Sequence, residues 1–136
     1  MKNISDATDL LATARDALLS ELLPALPKDK RYTAMMIANV LAVASREHQS
    51  GREAVHHETE RLVALLAGLD PDAQPPGVAL RLRDVSLLRR AASVAIREGR
   101  FDDAREQTAL RAHIRQTSAD WLAISNPKAL HPKALA

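Results

Sequence analysis

Apolar positions recur at helical spacing along nearly the whole chain. Ala7, Leu11, Ala14, Leu18 and Leu22 form one stripe, which predicts a helix from about Ala7 to Leu23. Asp6 is placed to cap it, with Asp9 in its first turn, where carboxylates meet free backbone N–H groups. Pro24 and Pro27 are expected to end it, because proline lacks a donor and clashes with the preceding turn. A second helix, about Lys30 to His48, is apolar on every side through its middle, which predicts a place at the centre of a bundle. Ser50, Gly51, Arg52 and Glu53 match a capping box, so a third helix is expected to begin there. Its stripe is Val55, Thr59, Leu62 and Leu66, with Gly68 in the left-handed closing position.

Residues 68–80 hold Pro71, Pro75, Pro76 and Gly77 without periodicity and read as a loop. A fourth helix, roughly Asp84 to Glu98, is predicted to bury Leu88, Ala91, Ala92, Ala95 and Ile96 and to end at Gly99. The fifth starts near Asp102 or Asp103 and runs to Ser125, with a stripe of Leu110, Ile114, Thr117, Trp121 and Ile124. Asn126 and Pro127 end it, and the tail 128–136 is expected to fray. The pattern as a whole predicts an all-α fold: one domain over residues 1–136, ordered over about 6–127, a mostly up-and-down bundle of about five helices.

Composition supports helices and narrows the chemistry. Ala and Leu dominate the apolar residues, while Phe, Trp and Tyr occur once each, so strand formers are scarce. Cysteine is absent, which excludes disulfides, thiol catalysis and thiolate metal sites. The stretch from Ala34 to Ala44 is too short to span a membrane, and Met1 to Leu10 alternate polar and apolar residues unlike a secretory signal. A cytoplasmic location is the expectation. Net charge is +2, but residues 1–80 carry −3 and residues 81–136 carry +5. Such a division either orients a partner or pairs the two halves with each other.

Candidate chemistry is sparse. His56 and His57 are adjacent, so on a helix they point about 100° apart and cannot share one ligand site. Glu53 and His56 form a Glu-x-x-His pair, but no other helix repeats it, and no metal or other cofactor is expected. His113 borders the stripe of the last helix, where a half-buried imidazole could act as a base given a partner and a pocket. More commonly such a histidine is hydrogen-bonded at a helix contact. Asn39 sits among apolar residues and, if buried, needs hydrogen-bond partners; a buried Asn often fixes helix register. Ile37 to Glu47 superficially resembles a helix-turn-helix, but the turn glycine is replaced by Ala42 and the run favours one continuous helix.

Several segments together resemble a small bacterial all-helical family of unknown function. They are Leu22 to Pro27, Ala38 to Leu41 leading to Arg46 and Glu47, Ile96 to Gly99, His113 to Arg115 with Thr117, and Asn126 with Pro127. The chain departs from the pattern in the loop near residues 70–80 and at Trp121. That family is encoded beside aminoglycoside-phosphotransferase-like proteins and acyl-CoA dehydrogenases. The resemblance therefore implies a phosphotransferase-like partner, and a shared surface of Asn39, Arg46, Glu47, His113 and Arg115. The leading expectation is a non-enzymatic accessory or interaction domain, with a homodimer as the competing use of the same surface. Two other classes stand beside it: a small-molecule-binding bundle or enzyme using His113, Arg46 and Glu47, and a DNA-binding regulator.

Overall fold

The computed structural model describes residues 6–69 and 84–131. Among them 89% are helical and none lies in a strand. The all-α expectation therefore stands, with four helices rather than about five. Helix α1 begins as Ala7–Ala17, passes through a π-helical turn, Leu18–Leu22, and closes on an α-turn, Leu23–Ala25. Helix α2 is Lys28–Leu69, α3 is Val85–Arg97 and α4 is Ala104–Ser125. A 3₁₀ turn, Pro127–Leu130, follows.

Proline acts differently at its two positions in α1. Pro24 has no N–H to donate, and the helix widens just before it, Leu23 donating to the carbonyl of Leu18. The helix survives Pro24 and stops at Ala25, where Leu26 takes the extended conformation required before Pro27. The Arg31 guanidinium then serves the freed carbonyls, its Nε donating to Leu26 (3.1 Å) and its Nη2 to Pro24 (3.3 Å). Asp6 occupies the N-cap position, yet its side chain makes no capping bond. Its carboxylate meets His48 Nε2 at 3.2 Å instead.

The expected second and third helices are one. The Ser50–Glu53 capping box is not used: the backbone continues through it, with Gly51 buried inside α2. A capping box specifies a helix start only where the preceding turn is absent, and here good helix formers precede and follow it. Gly68 is likewise helical rather than left-handed, and the loop expected beyond Leu69 lies outside the described residues. Helix α3 ends where the sequence predicts, since Gly99 has φ 72° and Arg100 N–H returns to the Ala95 carbonyl. Its start is capped by Asp84, which accepts from the N–H groups of Ser86 and Leu87. Residues 128–130 of the tail form part of the 3₁₀ turn, and residues 132–136 lie outside the described residues.

The chain divides into two compact units. The first joins residues 1–52 to 122–136, and the second is residues 53–121. In the first, α1 and α2 run antiparallel, as the contacts of Asp6 with His48 and of Pro24 with Arg31 show. In the second, Leu62 packs with Leu88 and Ala92, flanked by Val63, Leu66 and Val85. There α2 and α4 also run antiparallel, Glu58 meeting Trp121, Arg61 reaching Thr117, and Leu65 sharing a cleft with Arg105 and Ala109. Several apolar expectations fail, Leu22 of α1 and Ile114 of α4 among them, both being exposed. The middle of α2 is not central: Ala34 and Ala38 are buried, but Tyr32, Met35, Met36, Ile37 and Val40 are exposed. Ile96 is exposed too, because α3 buries only the narrower stripe of Leu88, Ala92 and Ala95.

Candidate functional site

A cluster of buried polar groups lies in the second unit. Helix α2 turns Glu58, Arg61 and Leu62 toward its neighbours, following the spacing of residues that share a helix face. The Glu58 side chain is only 4% exposed. Arg89 of α3 meets it as a fork, Nε donating to Oε1 and Nη2 to Oε2, both at 2.6 Å. Trp121 of α4 also donates to this carboxylate. The bonds from Arg89 hold the Glu58 carboxyl below the usual carboxylate range, overcoming the opposing effect of burial. The same pairing raises Arg89. Glu58 is thus a fixed anion with its lone pairs engaged, unsuited to donating a proton.

One turn along, Arg61 Nη2 donates to Asp120 Oδ2 at 2.8 Å and to Thr117 Oγ1 at 3.3 Å. Gln116 Nε2 donates to the other Asp120 oxygen at 2.9 Å. His113 is half-buried beside these groups, and its Nδ1 is buried without a hydrogen-bond partner. Burial lowers its pKa, the Arg61 charge adds to this, and Glu58 opposes it. The imidazole is therefore held neutral by its surroundings rather than oriented by a carboxylate. The cleft of about 220 Å³ in this unit is lined by Leu65, Leu69, Phe101 and Arg105 among others, and by none of these polar residues. The cluster ties α2, α3 and α4 together within the second unit.

A family profile described as "Domain of unknown function (DUF6285)" matches residues 24–129. The chain belongs to that family. No curated protein and no solved structure matches it. The DUF6285 match spans both compact units and includes all five residues singled out in the sequence.

Those five fall into two groups. Asn39, Arg46 and Glu47 belong to the first unit, His113 and Arg115 to the second. Asn39 is exposed, so it is not the buried register-fixing amide that its apolar surroundings suggest. Its sequence neighbours are apolar, but they line a face of α2 that meets solvent. Arg46 is half-buried and donates from Nε to the Ile124 carbonyl at 2.6 Å, in the last turn of α4. Glu47 and Arg115 are exposed. Sequence reasoning missed Glu58, Arg61, Arg89 and Asp120, which look like surface charges in a helical pattern. One signal was present: Glu58 lies four residues before Leu62, on the apolar stripe itself. Ile37 to Glu47 lies wholly within α2, without the turn that a helix-turn-helix needs.

Proposed function

We propose that this DUF6285 domain is a non-enzymatic interaction module that docks a partner protein through the exposed apolar face of α2. The observation that carries this reading is that face: Tyr32 is 74% exposed and Val40 61%, with Met35, Met36 and Ile37 between them. Residues 32–45 contain no charged side chain. Five large apolar side chains, each about half exposed or more, lie within three turns of one helix, and exposed apolar patches of this kind mark interaction sites. Methionine pairs suit such a face, because the flexible thioether adapts to its partner.

The occupant is a phosphotransferase-like protein of the kind whose genes accompany the family resembled in sequence, presenting an apolar patch rimmed by carboxylates. The rim is argued from charge. Lys28, Lys30 and Arg31 are exposed at the end of the face, and the first unit holds 9 Lys/Arg against 6 Asp/Glu, or +3. The domain acts in the cytoplasm beside that partner. Co-expression followed by size-exclusion chromatography tests the idea: the two proteins should co-elute, and Val40→Glu should separate them while leaving the helical spectrum unchanged. Separate elution of the native pair, elution of the domain as a homodimer that excludes the partner, or co-elution indifferent to Val40→Glu would overturn the proposal.

A further inference from the structure

We propose that the cleft between α1 and α2 in the first unit binds a small aliphatic carboxylate. The cleft is about 350 Å³, at the small end of ligand-binding cavities. Its apolar lining comes equally from both walls, Leu11 and Ala12 from α1 and Leu41 and Ala42 from α2. Its polar lining is Arg15 and Asp16 on one side, Ser45 and Arg46 on the other. Room for roughly ten non-hydrogen atoms therefore adjoins two arginine side chains.

Neither arginine has its bonding capacity filled. Arg15 Nε is buried and lacks any hydrogen-bond partner. The contact of its Nη1 with Asp16 is long, 3.7 Å, and joins sequence neighbours largely in water. Arg46 spends Nε on the Ile124 carbonyl, and among the described residues no carboxylate pairs with it. Each guanidinium therefore keeps N–H donors that no hydrogen bond among the described residues uses. An oxyanion supplies lone pairs in the fork geometry that guanidinium groups prefer. Arg15, Asp16 and Arg46 sum to +1, which matches a monoanionic carboxylate better than a phosphate dianion. The four aliphatic residues would cover a short hydrocarbon chain.

The experiment is a titration of isotope-labelled protein with sodium hexanoate, and separately with inorganic phosphate, followed by amide chemical shifts. Hexanoate should saturably shift the amides of residues 11–16 and 41–46, and phosphate should not. Arg15→Gln, at a half-exposed helix position that tolerates the change, should weaken hexanoate binding roughly tenfold or more. Asp16→Asn should tighten it. Val40→Glu should leave it unchanged, which separates this site from the docking face. Absence of saturable shifts with hexanoate, equal affinity in the Arg15→Gln protein, or phosphate saturating the same amides at equal concentration would each overturn the assignment.

Discussion

Glu58 and Arg89 show how unequally the two halves of one ion pair can matter. The carboxylate is almost fully buried, whereas the Arg89 side chain is 46% exposed. Removing the arginine strands a charge in a poorly solvated place, whereas removing the acid leaves a cation that can turn to water. Arg89→Met is therefore expected to cost about 2 kcal/mol, reduced from the fully buried case by the solvent around the guanidinium, and Glu58→Gln distinctly less. Urea denaturation of both variants checks the order; a larger loss in Glu58→Gln would contradict it. The same neighbourhood sets a pH dependence. His113 has a folded pKa below its unfolded value, so the unfolded chain binds the proton first. Stability should be full above about pH 6.5 and fall as pH drops from there toward the lowered folded value. Glu58 is also lowered, so its contribution persists above about pH 4.3 and is lost as pH falls through its folded value. Both slopes have the same sign. Thermal melts between neutral and mildly acidic pH should show the first, and His113→Gln should flatten it.

At the scale of elements, α2 is the feature that local signals misdescribe. Its 42 residues run through Gly51, which is buried and sits next to the boundary between the two compact units. Glycine inside a helix costs about 1 kcal/mol relative to alanine. A Cβ added at Gly51 would come within 3.2 Å of Glu47 Cγ, the stem of a flexible exposed side chain that can rotate away. Gly51→Ala should therefore raise stability by about 0.5–1 kcal/mol, as a higher melting midpoint; a lower one would show that the glycine is needed for close packing. Helix α4 carries a smaller surprise. Its stripe was expected to pass through Ile114, which is 51% exposed. The inward path keeps Leu110 and Thr117 but passes through His113, about 100° round the helix from Ile114, and His113 is the one beside the Glu58 and Arg61 charges.

For the whole molecule, the charge division read along the sequence is redrawn by the fold. Residues 1–80 and 81–136 carry −3 and +5, but the compact units carry +3 and −1, because the last fifteen residues join the first unit and residues 53–80 join the second. The positive unit is the one bearing the exposed face of α2. Added salt should accordingly slow association with an acid-rimmed partner and leave dissociation nearly unchanged, since long-range attraction steers encounter while apolar contact holds the complex. Surface plasmon resonance at low and high salt measures both rates. A salt effect confined to dissociation would place the charges inside the interface rather than around it.

What the sequence determined by itself was local: helix formers in the right proportion, stripes at the right spacing, a helix start near Asp84 and the Gly99 terminator. Each depends on residues within a few positions of one another, where spacing and backbone preference act directly. The tertiary structure alone decided whether a capping box is used, which side of an apolar helix is covered, and which charges are buried together. Ser50 to Glu53 would begin a helix if the chain before them were not already helical. Tyr32, Met35, Met36, Ile37 and Val40 look like core as much as Ala34 and Ala38 do, until the fold shows that only the two alanines are covered. Glu58 and Arg89 lie 31 residues apart, and Arg61 and Asp120 lie 59 apart. No local pattern encodes such pairings, because their stability comes from burial that exists only once distant helices have met.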